Sequence, residues 1–173
     1  MELDRGAAIV TGAAGGIGEV IAARLASGGM GVVLADIDGE RLAVTHQRLR
    51  SDLPGAAFAA VRGDVGDPQH HAELLDAATR ISGGLRLSVL NAGVSVPGLS
   101  WEIPLQTWEL TTRANYWGVV HGLRAALRAM VPEDDGWVVA VSSGAGLVAA
   151  PGLAPYVATK HAVVGMMEST YHA

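Results

Sequence analysis

The chain contains no cysteine. That excludes a disulfide framework and thiolate chemistry. Phenylalanine occurs once, and all aromatics together make up 5% of residues. Charged residues reach only 17%, and the net charge is -5. That balance gives no field favouring nucleic acid or an anionic membrane surface, so neither is expected as a partner. No uninterrupted apolar run has the length of a membrane span, because Gly, Pro, Arg or Lys breaks each one. The start, Met1-Glu2-Leu3-Asp4-Arg5, lacks the basic flank and apolar stretch of a secretory signal. A soluble, cytoplasmic protein is the expectation. His46, His70, His71, His121, His161 and His172 are scattered without metal-ligand spacing, and no metal is expected.

What is present is small and aliphatic. Half of the 173 residues are hydrophobic, and 23 are glycine. The length suits one domain with a real core. The composition suits an α/β protein with tight turns and small-residue packing.

Apolar runs alternate with helix-period segments, which predicts βαβ units and a parallel sheet. Strands are expected at Ala7–Thr11, Gly31–Asp36, Ala57–Val61, Leu87–Leu90 and Trp137–Val141. Ile17, Val20, Ile21 and Leu25 recur at helical spacing and predict the apolar face of the first helix, which Ser27-Gly28-Gly29 stops. A polar helix through Glu40, Leu42, His46 and Leu49 follows, then a third from Pro68 to Ile81. Val94 to Ile103 reads as a loop, and Pro104 to Met130 as one long helix. The final helix starts at Pro155. Trp101, Trp108 and Trp117 are expected to pack the long helix, with a substrate-facing role open for Trp101 in the loop. Met166-Met167 reads as packing.

Between the first strand and first helix lies Gly12-Ala13-Ala14-Gly15-Gly16-Ile17-Gly18. Strand, glycine turn and helix in this order predict a phosphate cradle, with a purely structural strand-to-helix turn as the alternative. Glycine lets backbone N–H groups approach a pyrophosphate, and the helix N-terminus adds partial positive charge. The spacing is Gly-x-x-x-Gly-x-Gly rather than the commoner Gly-x-Gly-x-x-Gly. Asp36 ends the second strand 18 residues past Gly18. A carboxylate there accepts from an adenosine ribose hydroxyl and repels a 2′-phosphate, so NAD is favoured over NADP. Asp38 is available for helix capping instead. Asp64, followed by Val65, also ends a strand. It reads either as an acceptor for an adenine amino group or as a turn residue.

Tyr156 and Lys160 lie four apart, directly after Pro155. That spacing places them on one helix face. A neighbouring ammonium favours phenolate, which makes Tyr156 a candidate general acid/base. A solvated helix face is the alternative for the pair. Ser143 reads alternatively as a cap, and Asn115 as a buried polar residue satisfied by nearby backbone.

Thr11-Gly12-x-x-x-Gly16-x-Gly18, Asn91-Ala92-Gly93, Asn115, Ser143 and Tyr156-x-x-x-Lys160 occur in this order. With them the chain resembles the short-chain dehydrogenase/reductase family, from about Gly6 to Ala173. The resemblance implies a Rossmann-like, three-layer α/β fold: a doubly wound parallel sheet with helices on both faces. It implies one dinucleotide-binding domain over residues 1–173. It also implies hydride transfer between a nicotinamide cofactor and a secondary alcohol or ketone. Tyr156 would exchange the proton with the substrate oxygen. Lys160 would bind the nicotinamide ribose and favour the phenolate, and Ser143 would hydrogen-bond the substrate oxygen. Asn115 would hold a relay water, and Asn91, Ala92 and Gly93 would line the cofactor. Gly12, Ala14, Gly15, Gly16, Ile17, Gly18, Asp36, Asp64 and Val65 would complete its site.

The resemblance further implies a homodimer or homotetramer, through the Pro104–Met130 helix and the tyrosine helix. Arg86 departs from the family, whose members often carry an acidic residue there; a local effect is expected. Family members also continue with two further strands and a pocket-closing segment, whereas this chain stops at Ser169-Thr170-Tyr171-His172-Ala173. The expectation is a domain incomplete at its C-terminus, with an exposed edge at the fifth strand. A non-catalytic nucleotide-binding or self-associating module is therefore the alternative function.

Overall fold

The computed structural model describes residues 5–171, so the expectations for Met1–Asp4 and for His172 lie outside them. Five strands form one parallel sheet: β1 (Ala7–Thr11), β2 (Gly31–Asp36), β3 (Phe58–Arg62), β4 (Leu85–Leu90) and β5 (Trp137–Ala140). Their order is β3-β2-β1-β4-β5. The chain winds outward from β1 to β3, then crosses to β4 and winds the other way. The gap between the ends of β1 and β4 is thus the switch point, where such sheets bind ligands.

Helices cover both faces. α1 (Gly16–Ser27) and α2 (Gly39–Asp52) pack on the face carrying Val10, Val32, Leu34 and Val89. α3 (Pro68–Ser82) and α5 (Gly118–Met130) pack on the face carrying Ile9 and Val33. α6 (Ala154–Tyr171) joins that second layer through Val163, against Leu90, Val119 and Leu123. β1 and β2 are buried on both faces apart from Asp36 at its end, as the continuous apolar runs require.

Local chemistry sets the element ends. Asp38 and Asp67 cap α2 and α3, accepting from the N–H groups of Arg41 and Gln69. Pro68 opens α3, where its missing N–H is harmless. Gly83 closes α3 in the left-handed region at φ 77°. Arg86 acts locally: its guanidinium pairs with Asp135 at 2.7 Å, tying β4 to the turn before β5.

Three expectations are corrected. Ile17 and Val20 are 65% and 68% exposed; Gly18, Ala22, Leu25 and Ala26 are the buried side of α1. The cause is close approach. A Cβ on Gly18 would run into the Gly12 carbonyl, so α1 meets β1 through glycine and alanine, not through large side chains. The segment Pro104–Met130 is not one regular helix. α4 (Leu105–Thr112) passes into a π-helical turn, Arg113–Trp117, before α5. Trp101 is exposed and does not pack the helix, while Trp117 stacks on His121 with ring centroids 5.7 Å apart. A smaller shift places Pro155 second in α6 instead of first.

Candidate active site

At the switch point, β1 and β4 are fastened together. Thr11 Oγ1 accepts from the N–H groups of Asn91 and Ala92 at 3.0 and 3.1 Å. Asn91 Nδ2 donates to the carbonyls of Thr11 and Gly12 at 2.9 and 3.2 Å. Gly12 and Gly16 have φ of 67° and 56°, a region in which a side chain is strained. A Cβ on Gly12 would also lie 2.9 Å from Ala92 Cα. Gly15 precedes α1 without a side-chain cap, so the first-turn N–H groups are left for solvent or a ligand. Glycine at position 12 thus lets the turn pack directly against the Asn91 side chain and the Ala92 backbone. Ala13 and Ala14 are buried beneath it, and exposed Ile17 stands at its mouth.

Beside this turn lies a cavity of 190 Å³, bounded by Gly12, Asp36, Ile37, Asp64, Val65 and Arg113 among others. Asp36 Oδ2 accepts from the Ala14 N–H and Oδ1 from the Asp38 N–H, both at 3.0 Å. Asp38 takes the capping role, leaving Asp36 at the cavity wall. Asp64 Oδ1 accepts from the Gly66 N–H at 2.8 Å, the bond of a turn residue. Its Oδ2 accepts from Arg113 Nε at 2.7 Å. Burial pushes the Asp64 pKa up, but the Arg113 bond, the Gly66 N–H and the Arg113 charge outweigh it and hold the carboxyl below its ordinary value. A larger cavity of 490 Å³ lies at the opposite, amino edge of the sheet, against Gly6, Leu85 and Arg86. It contains none of the motif residues.

The other end of the crevice collects the polar residues of three elements. Lys160 is 3% exposed, and its Nζ donates to the Val141 carbonyl at 2.6 Å. That nitrogen lies 5.6 Å from the centroid of the Tyr156 ring. Burial of the ammonium lowers the Lys160 pKa. Asn115 sits in the π-helical turn and is fully buried. Its Oδ1 accepts from the Val94 N–H at 2.7 Å, and its Nδ2 donates to the Val94 carbonyl at 2.8 Å and to Thr159 Oγ1 at 3.2 Å. The side chain is thus satisfied by the Val94 backbone together with the Thr159 hydroxyl. Gly93 faces both groups: a Cβ there would lie 3.2 Å from Asn115 Oδ1 and 3.6 Å from Lys160 Nζ. Ser143 Oγ accepts from the Ala145 N–H at 3.1 Å, capping the short Gly144–Gly146 turn. Its own proton remains available to donate.

The crevice therefore gathers Gly12, Asn91, Ala92 and Gly93 at its centre, with Asp36, Asp64 and Val65 toward one end. Asn115, Tyr156 and Lys160 lie toward the other, and Ser143 lies on the turn after β5. Three contributors, Thr159, Arg113 and Arg41, have no role in the sequence pattern, and Thr11 enters it only as the first residue of the glycine motif. The Thr11 hydroxyl bonds partners 78 or more residues away, and the Thr159 hydroxyl accepts from Asn115, 44 residues away, while donating to the Tyr156 carbonyl one helical turn back. Arg113 reaches Asp64 across 49 residues, and Arg41 lies where a Cβ on Gly15 would meet its guanidinium at 2.9 Å. Only the position of Thr11 just before Gly12 gave a local signal.

A doubly wound sheet with a glycine turn at its switch point defines a Rossmann-like α/β fold. The family model for short chain dehydrogenase matches residues 6–173, and the chain belongs to that family. It is 39% identical over 169 residues to a 1-deoxy-11-beta-hydroxypentalenate dehydrogenase of Streptomyces avermitilis, covering 94% of this chain and 60% of that protein. It is 35% identical over 162 residues to a CLA biosynthesis dehydrogenase/reductase of Lactiplantibacillus plantarum, covering 93% of this chain and 56% of that one. A short chain dehydrogenase/reductase of Burkholderia phymatum, solved in complex with NAD, superposes with a TM-score of 0.95 at 38% identity. That match covers 99% of this chain and 61% of the other. The chain thus spans roughly three fifths of the length of these relatives. No described helix is long and apolar enough to cross a membrane.

Proposed function

We propose that the chain carries the cofactor site and proton-transfer group of an oxidoreductase that moves hydride between a nicotinamide cofactor and a secondary alcohol or ketone. The observation that carries this reading is the buried Lys160 ammonium, 5.6 Å from the Tyr156 ring at the carboxyl edge of a glycine-cradled sheet. Tyr156 supplies the group that takes the proton of an alcohol or returns it to an alkoxide, and the Lys160 ammonium over its ring stabilises negative charge developing there. Ser143 donates to the substrate oxygen. The main chain of the Asn115 turn supports a relay water, while the Asn115 side chain holds Val94. The nicotinamide supplies the hydride acceptor or donor.

NAD is favoured, because the Asp36 carboxylate accepts from ribose hydroxyls and repels a 2′-phosphate. Asp64 accepts from the adenine amino group, and Val65 packs against the base. The substrate class is apolar to moderately polar: the loops beyond Gly93 and Ser143 carry exposed Val94, Val96, Leu99, Leu147 and Val148. Those loops are tied together by a Gly98 N–H to Gly152 carbonyl bond at 2.9 Å. We place the protein in the cytoplasm, self-associating through α4, α5 and α6.

Calorimetry with NAD, paired with a spectrophotometric screen of secondary alcohols, tests this. NADH absorbance with at least one alcohol is the expected result. NAD binding by a folded chain with no turnover across the panel favours the second reading, a nucleotide-binding module. The exposed apolar β5 edge is the observation on that side.

A further inference from the structure

Side-chain bonds fasten α6 at the chemical end of the crevice from two sides. Lys160 Nζ donates to the Val141 carbonyl at 2.6 Å, and Ser142 Oγ donates to the Lys160 carbonyl at 3.2 Å, which holds the helix to the end of β5. On the other side Asn115 Nδ2 donates to Thr159 Oγ1 at 3.2 Å, which holds it to the π-helical turn. The Thr159 hydroxyl in turn donates to the Tyr156 carbonyl at 2.8 Å. Thr79, Thr111 and Thr170 also donate within their helices, each to the carbonyl four residues back. Thr159 bonds three residues back, to the tyrosine itself, and accepts from a separate element. A hydroxyl has one proton, so with that proton directed at Tyr156 its lone pairs are left for Asn115. Asn115 is fully buried, and the Val94 carbonyl and Thr159 take both of its Nδ2 protons, so the join has one geometry.

We propose that Thr159 is a positioning residue for Tyr156: its hydroxyl joins the Asn115 side chain to the Tyr156 carbonyl and sets the rotation of α6 about its axis. The proposal rests on the oxidoreductase reading above. Thr159 and Lys160 are both buried and lie three and four residues after Tyr156, on its face of the helix. The bonds from Val141 and Ser142 act at Lys160, a full turn from the tyrosine, and alone they leave α6 open to a roll about that point. The Thr159 bond, off to the side of that pivot, closes the roll. A side-chain tip stands about 6 Å from a helix axis, so a roll of about 10° carries the phenol oxygen by about 1 Å. Misplacement of a reacting group by that distance costs about 10²-fold in rate.

Steady-state kinetics on the full chain, with NAD and an alcohol that the wild type oxidises, test this in Thr159→Val, which keeps the branched shape and removes the hydroxyl. The expected result is a kcat about 10- to 100-fold lower per folded molecule, with the KM for NAD within about twofold. Thr159→Ser restores the hydroxyl and should return kcat to within about threefold of the wild type. In the Tyr156→Phe background, Thr159→Val should lower kcat by less than about twofold, because the group it positions is gone. Wild-type kcat in Thr159→Val overturns the proposal. So does a Thr159→Ser enzyme as impaired as Thr159→Val, since the hydroxyl is then not the cause. An undiminished loss in the Tyr156→Phe background marks a merely structural residue and also overturns it. If Thr159→Val does not fold, Thr159→Cys takes its place: its thiol is a weak acceptor, and the same loss of kcat with rescue by serine is expected. An active wild type with an indifferent variant sinks this inference alone. If the folded wild type turns over no alcohol, the oxidoreductase reading falls and this inference falls with it.

Discussion

At one edge of the sheet, β3 turns Ala60 and Arg62 toward solvent; at the other, β5 turns Trp137 and Val139 outward. A single row of paired residues crosses between them. Ala60 pairs with Leu34, Leu34 with Val10, Val10 with Val89, and Val89 with Val139. Leu34 and Val10 are fully buried and Val89 is 4% exposed, yet Val139 is 45% exposed. β3 is built as an edge, with a small residue and a charge where water reaches it. β5 has the continuous apolar sequence of a strand covered on both faces. The difference separates the two ends of the crevice. The glycine cradle and Asp36 stand on strands whose packing is closed. Ser143, Tyr156 and Lys160 stand on elements flanking the open strand, and Lys160 is fastened to Val141 at its very end.

The largest effect separates the two ends functionally. Tyr156→Phe removes one hydroxyl from the chemical end and leaves the cradle untouched. Turnover should fall by about 10²- to 10⁴-fold, the usual worth of a general acid/base. NAD affinity by calorimetry should stay within about twofold. Retained turnover would remove Tyr156 from its role; a matching loss of NAD affinity would mean that the two ends are not separable.

A paired truncation reads the packing contrast directly. Leu34→Ala empties a fully buried site on β2 and should cost about 2–5 kcal/mol in urea unfolding. Val139→Ala, on the same face at β5, should stay within about 0.5 kcal/mol. If Val139→Ala costs as much as Leu34→Ala, something covers β5 in solution, and the contrast between the edges disappears.

How much of this was legible depends on whether the cause is local. The strands and the glycine cradle were legible, because apolar runs and glycine spacing act on neighbouring residues. The α1 face was misread, since its periodic Ile17 and Val20 look like a core stripe. The true contact uses Gly18 and Ala22, and only the closeness of the Gly12 carbonyl explains why. The π-helical turn was illegible: no proline or glycine marks Arg113–Trp117, and its cause is a set of bonds to Val94, Thr159 and Asp64. Asn115 illustrates the mixture. Its position followed from the motif, but its side-chain partners are 21 and 44 residues away.

The smallest effect concerns acid, and it belongs to the nucleotide end. His71 lies under the cavity wall, its Nε2 2.8 Å from the Val65 carbonyl. Burial leads the causes that hold its pKa below the ordinary value; the Val65 bond opposes, and His70 and His121 reinforce. The sign follows from proton counting. Between the depressed folded pKa and about 6.5, the unfolded chain binds more protons than the folded one. Stability therefore falls as pH drops below about 6.5 and levels off beneath the folded pKa, with a slope of at most about 1.4 kcal/mol per pH unit. Asp64, also depressed, contributes stability above its unfolded value near 3.8 that is lost as pH falls further, so the two windows do not overlap at pH 5.5 to 7.5. His71→Gln keeps a donor for Val65 and removes the titration. Melting curves at pH 7.5 and 5.5 should show a smaller acid-side drop in the variant than in the wild type. An identical drop would move the acid sensitivity away from the wall of the cavity.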